Sequence, residues 1–341
     1  MAASALVMPF VDGWSRKKTV FGCAVCSVAS AALITCANTD WLFGLGNFLL
    51  GFFFNVTSLT ASVFMQESVS EKCRPHVMVL LNVTYSAIGM TMSVACIRTQ
   101  FWSWRNETRL WFSPWVPAAL VGPFIVREPS KADSSSCQHA AGYTAQMRTL
   151  FCSELRRNTL ATIVCWFAPA LAFFGLNYSA GDLSDDLFTN MALLSLIDIV
   201  GYALASPLIL CFGKRHAQAL SFIGASASLL CCCFVRRKSV EAMACALIGR
   251  FFIDVAFTTI FVLIIDCFPR NHRAAAIGMA NVVGRLGAVA APYTTLLSLR
   301  VLCILLSAFS AVAALATWTL QCSYSNYCES LILSSTSTIE E

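Results

Sequence analysis

Glu67-Ser68-Val69-Ser70-Glu71-Lys72-Cys73-Arg74 and Asp266-Cys267-Phe268-Pro269-Arg270-Asn271-His272-Arg273 each place an acid seven residues before an arginine, and each separates two long apolar runs. The two acids stand 199 residues apart. A second, unlike feature recurs at the same interval. The basic cluster Asp12-Gly13-Trp14-Ser15-Arg16-Lys17-Lys18 has a counterpart in Gly213-Lys214-Arg215, and Arg16 and Arg215 are again 199 apart. Connections between apolar segments attract basic residues in any case. Equal spacing of two different features points further, to two halves of parallel build.

The runs around these motifs are long enough to cross a bilayer, which takes about 20 mainly apolar residues. Ten such runs are expected: 19–37, 41–65, 77–97, 110–126, 159–176, 187–212, 217–235, 240–265, 274–298 and 301–320. The fourth carries Pro114, Pro117 and Pro123 and is expected to kink. Trp102, Trp104, Trp111 and Trp115 cluster at its start as an interfacial belt. The expected organisation is a four-helix first half over 1–126, a polar loop over 127–158, a six-helix second half over 159–320 and a disordered cytosolic tail over 321–341. The second half starts near Asn158, so its repeat partner would begin about 41 residues before Met1. The first half is therefore expected to lack two helices, and residues 1–11 read as a truncated end, not a signal peptide.

Composition agrees with membrane insertion. Of the 341 residues 57% are hydrophobic and 12% charged, with mean hydropathy +0.70, whereas a soluble domain carries about 25% charged residues. The net charge of +5 comes from short clusters between apolar runs, a placement that sets membrane orientation and argues against nucleic-acid binding. With the N-terminus inside, fourteen Lys and Arg fall in inside segments and seven outside. The sequons at Asn106 and Asn177 then both face outward, as glycosylation requires. Those at Asn55 and Asn82 lie within expected helices. Most of the 17 cysteines sit in apolar runs, among them Cys23, Cys26, Cys165, Cys245 and Cys303, where cysteine packs as a small hydrophobe. There is no phosphate-binding loop, no HExxH and no nucleophile elbow, and the four histidines are scattered. Enzyme chemistry, a bound cofactor, a metal site and pumping driven by ATP are not expected.

Several stretches resemble the organic cation, anion and carnitine transporters of the major facilitator superfamily. They are Ile248-Gly249-Arg250-Phe251, Asp266-Cys267-Phe268-Pro269, Gly284-Arg285-Leu286-Gly287-Ala288-Val289-Ala290-Ala291-Pro292-Tyr293, Asp198-Ile199-Val200-Gly201-Tyr202 with Asp where the family has Glu, Glu67-Ser68-Val69, and Glu128-Pro129-Ser130. The resemblance spans roughly residues 12–320. Asp254 departs from it, standing where the family has a small or neutral residue, and Arg270 replaces the usual Thr. It implies an all-α, polytopic, major facilitator-like bundle with about ten transmembrane helices, truncated from twelve. It also implies transport of small organic ions, carnitine-like zwitterions or organic cations, by alternating access, with sodium or a proton as coupling ion and the plasma membrane as location. The other reading is a truncated chain that does not transport and modulates a full-length relative.

A charge inside the bilayer is expensive and marks function by default. Arg285 is the first candidate. The resemblance places it in the central cavity, at a position basic in anion and carnitine carriers, and a guanidinium holds a carboxylate by two hydrogen bonds. A structural ion pair with Asp198 or Asp254 is the alternative. Arg250 and Asp254, four apart on one helix face, are expected to pair with each other, and Asp198 and Asp254 are also candidates for the substrate cavity. Tyr202, Phe257 and Tyr293 are candidates for cation–π contact with a quaternary ammonium. Arg16, Lys17, Glu67 and Arg74, with Lys214, Arg215, Asp266 and Arg273, are expected to form salt-bridge clusters at the cytosolic mouth that make in one state and break in the other.

Overall fold

A computed structural model describes residues 16–69, 74–126, 148–152, 155–183, 186–236, 238–269 and 272–320. Every regular element among them is helical. In chain order they are α1 (Arg16–Cys36), α2 (Asp40–Glu67), α3 (Arg74–Thr99), α4 (Trp104–Phe112), α5 (Trp115–Ile125), α6 (Arg156–Tyr178), α7 (Leu187–Phe212), α8 (Lys214–Cys232), α9 (Val240–Cys267), α10 (Arg273–Ala290) and α11 (Leu299–Thr319). The expected tail over 321–341, Glu128-Pro129-Ser130, and Asp12-Gly13-Trp14-Ser15 lie outside the described residues.

The helix starts repeat the charge spacing. Arg16 and Lys214, Asp40 and Val240, and Arg74 and Arg273 open corresponding helices 198, 200 and 199 residues apart. Their caps match too. Thr39 and Ser239 each accept a hydrogen bond from the backbone N–H three residues on, at 3.4 and 3.2 Å, which satisfies a donor that the first helical turn leaves orphaned. Asp186 caps α7 by accepting from Phe188 N–H at 3.1 Å and from the Thr189 hydroxyl, and these bonds hold its carboxyl below the usual carboxylate range.

Eight helical stretches are long and apolar enough to cross a membrane among the described residues. The expected span 110–126 is not one of them. It is two helices, because Pro114 has no N–H to carry the ladder on: α4 closes at Ser113, whose N–H reaches Arg109, and α5 starts at Trp115. An 11-residue helix is about 16 Å long, against a hydrocarbon core of about 30 Å. The nine residues of α4, Trp104-Arg105-Asn106-Glu107-Thr108-Arg109-Leu110-Trp111-Phe112, bury none of their side chains and read as interfacial. Arg105 lies over the Trp104 ring and donates to the Ala37 carbonyl at 2.9 Å. The expected span 217–235 is not among the eight either: it is 19-residue α8, whose start carries Lys214, Arg215 and His216. The expected span 274–298 leaves α-helical geometry at Ala290, where Pro292 follows and residues Ala291–Leu296 wind on as a 3₁₀ turn.

The chain forms two compact units, residues 1–137 and 138–341. In the first, α1 packs along α2 and against α4 and α5, with Gly46 set against Ile34 and Gly122 against Phe21. In the second, α6 is the central helix, packed on α9, α10 and α11, while α8 packs on α9 and α11 and α7 on α9. Trp166 of α6 is the largest fully buried side chain and meets Phe257 and Phe261 of α9 edge-on, with centroids 5.6 and 4.5 Å away. Small residues set these approaches, as between helices in lipid generally. A Cβ added to Gly287 of α10 would lie 2.9 Å from the Phe167 carbonyl oxygen of α6. Asn158, at the start of α6, donates to the Cys267 carbonyl at the end of α9 at 2.8 Å, satisfying an orphaned helix-end acceptor.

Candidate functional site

Three charged side chains are buried together inside the second unit. Arg250 and Asp254 sit one turn apart on α9, and Asp198 faces them from α7. Arg250 is 1% exposed and Asp254 0%. The Arg250 fork grips Asp198, with Nε to Oδ1 at 2.6 Å and Nη2 to Oδ2 at 3.0 Å. Nη1 donates to the Phe173 carbonyl of α6 at 2.5 Å, and the Phe173 ring lies 3.4 Å from the guanidinium carbon. All three guanidinium nitrogens are thus engaged, which is what makes a buried arginine tolerable.

The expected Arg250–Asp254 pair is the weaker contact. Asp254 Oδ2 approaches Nε only to 3.8 Å. Helical side chains lean toward the N-terminus. Arg250, the N-terminal member, therefore leans away from Asp254 and toward α6 and α7. Asp254 is left without a hydrogen bond of normal geometry on either oxygen, with Asp198 and Tyr202 in reach. Gly201 is what lets α7 come so close. A Cβ there would lie 2.9 Å from Asp254 Cβ and 3.3 Å from the Phe251 carbonyl oxygen. Gly201→Ala is accordingly expected to lower stability by about 1–3 kcal/mol through overpacking, read as a lower melting temperature of the purified protein in detergent. An unchanged melting temperature would show that α7 can withdraw from the triad freely.

The other expected site residues are scattered. Tyr202 is buried one turn after Asp198. Phe257 packs in the cluster with Trp166 and Phe261. Tyr293 is 69% exposed on the 3₁₀ turn. Arg285 is half-buried on α10, between Gly284 and Gly287, where the helix presses against Trp166, Phe167 and Ala170 of α6. Phe173 was not legible as a site residue, because its contribution is a backbone carbonyl and a ring face.

At the helix ends, Lys214 Nζ donates to Asp266 Oδ2 at 2.7 Å, joining the start of α8 to the end of α9. Arg215 points elsewhere. It donates to the Trp318 carbonyl at the end of α11 and lies over that residue's ring. Lys17 is half-buried on the first turn of α1. The side chains of Arg16, Glu67, Arg74 and Arg273 lie outside the described residues, although their backbones mark helix ends. The Lys214 side chain is 41% exposed, so Lys214→Ala is expected to cost no more than about 1 kcal/mol, and less at high salt. Melting curves at two salt concentrations check this, and a large salt-independent loss would contradict it. Asn106 is exposed on α4 and Asn177 half-buried in the last turn of α6. Asn55 instead donates into its own helix, to the Gly51 carbonyl.

The family model for "Sugar (and other) transporter" matches residues 1–126. Among solved structures, the fucose:proton symporter of E. coli superposes with a TM-score of 0.66 at 14% identity, over 94% of this chain and 87% of that one. The chain has the major facilitator fold. Sequence relatives are the human organic cation/carnitine transporter 2, 26% identical over 177 residues, and the Drosophila melanogaster organic cation transporter protein, 28% identical over 173. These matches take in 51% and 50% of this chain. The chain spans about a third of the length of these relatives, 31% in each case. The resemblance read from the motifs therefore stands, with the major facilitator fold as its frame. The chain is an integral membrane protein with multiple spans.

Proposed function

We propose that this chain moves small organic ions across a membrane by alternating access, taking carnitine-like zwitterions or organic cations. The observation that carries this reading is the similarity to organic cation and carnitine transporters on a major facilitator fold. The site residues give it chemistry. Arg285 supplies a guanidinium for a substrate carboxylate. The rings of Tyr202, Phe257 and Tyr293 are available to a quaternary ammonium. With both carboxyls ionised, Asp198 and Asp254 add negative potential for a cation. Lys214 and Asp266 act as one arm of a gate whose ion pairs bias an equilibrium between states. Arg16, Lys17, Glu67, Arg74, Arg215 and Arg273 belong to the same proposed gate. A coupling ion, proton or sodium, a plasma-membrane location, and glycosylation at Asn106 and Asn177 complete the proposal.

Ligand-dependent melting tests it. A ligand that binds the folded state stabilises it by about 2.7 kcal/mol at a hundred times its Kd. L-carnitine and tetraethylammonium are expected to raise the melting temperature of the purified chain, and a plain dicarboxylate is not. No shift with either probe would refute the proposed substrate class.

A further inference from the structure

The triad of Asp198, Arg250 and Asp254 sums to one net negative charge when all three are ionised, and it is sealed. Arg250 donates all of its nitrogens to Asp198 and Phe173. Asp254 is 0% exposed, yet neither of its oxygens makes a hydrogen bond of normal geometry, although Asp198 and Tyr202 of α7 are in reach. An ionised carboxylate in that position has lost its water and gains only the 3.8 Å approach of an arginine whose fork is committed to Asp198, so its charge is poorly compensated. The ionisable groups acting on it are Arg250 on its own helix and Asp198 and Tyr202 on α7. The helices packed on α9 bring few others. Those of α8 lie at its ends, Lys214, Arg215 and His216 at one and Cys231 and Cys232 at the other. α6 offers Arg156 and Arg157 at its start, Cys165 in its middle and Tyr178 at its end. α10 offers Arg273 and Arg285.

We propose that Asp254 is a proton-binding carboxyl, taking up one proton from water so that the triad becomes neutral and releasing it to water when the packing around α7 opens. Two carboxylates that share one guanidinium cannot both stay charged cheaply. One proton on Asp254 converts its idle oxygen into an O–H donor, with Asp198 beside it as acceptor. A metal cation is the poorer occupant. A hard cation such as magnesium or calcium takes about six oxygens or more, while here the guanidinium already holds Asp198, and even a Cβ at Gly201 would lie only 2.9 Å from the Asp254 Cβ. As a proton site this stands on the triad alone. As a coupling site it rests on the proposed transport function.

Infrared difference spectroscopy of the purified full chain in lipid separates the two. Across an acid-to-alkaline titration the wild type is expected to show the carbonyl band of a protonated, non-hydrated carboxylic acid. Asp254→Asn should lose that band entirely, and Asp254→Glu should keep it at a shifted frequency. The titration should be the same in sodium and in potassium buffer. A band that survives in Asp254→Asn, or that is insensitive to Asp254→Glu, overturns the assignment, as does a wild type with no such band at any pH. A sodium-dependent band would overturn it in favour of a metal cation. None of these readouts requires transport, so failure of labelled L-carnitine to enter vesicles would count against the proposed function and leave the proton site standing.

Discussion

Arg250→Met is expected to remove most of the folded protein. The substitution leaves Asp198 and Asp254 buried without a cation and strips the Phe173 carbonyl of its donor. Breaking a buried pair by deleting one partner costs about 3–5 kcal/mol, set against a total stability of about 5–15 kcal/mol for a typical folded chain. Fluorescence-detected size-exclusion of detergent extracts reads this as a collapse of the monodisperse peak. The electrostatic origin makes a second forecast. Arg250→Met combined with Asp198→Asn and Asp254→Asn should recover much of the peak, because neutralising every member removes the uncompensated charge. Arg250→Lys should fail almost as badly as Arg250→Met, since an ammonium cannot reproduce the fork on Asp198. A normal peak for Arg250→Met would mean that the triad carries no structural load.

Arg285→Asp is expected to invert ligand preference. If Arg285 meets the substrate carboxylate, removing a buried, hydrogen-bonded charge partner costs about 2–5 kcal/mol. At 1.4 kcal/mol per tenfold, that is at least about 30-fold weaker L-carnitine binding. The introduced carboxylate should repel zwitterions through their anionic end and favour tetraethylammonium, since specificity is a difference of affinities that a repulsive group can reverse. Arg285→Lys should fall between, keeping charge but losing the planar fork. Competition binding on the three purified proteins reads the order directly. Equal preference in all three, at equal folding, would place Arg285 outside the site.

Much of the fold was legible because its causes are local. Nine of the apolar runs announce their helices within a few residues, and the spacing of Glu67 and Asp266 anticipates helix starts 198 to 200 residues apart. The run 110–126 failed because apolarity alone cannot show that Pro114 ends one helix and lets another start. The site was less legible. Arg250 and Asp254 satisfy the spacing for a pair on one helix, but the direction in which helical side chains lean hands Arg250 to Asp198, 52 residues away in sequence. Phe173 contributes a carbonyl, which every residue has, and Trp318 receives Arg215 across 103 residues. Contacts of that range follow from the tertiary packing of α6, α7, α9 and α11, and no local pattern encodes them.

The most direct measurement of the proposed function is counterflow. Liposomes holding the purified chain and unlabelled L-carnitine are diluted into a trace of labelled L-carnitine, and label entry is followed against empty liposomes. The expected result is a saturable overshoot that unlabelled tetraethylammonium suppresses. Label entry no faster than into empty liposomes, from protein whose melting transition shows it folded, would contradict transport of this substrate class by the chain.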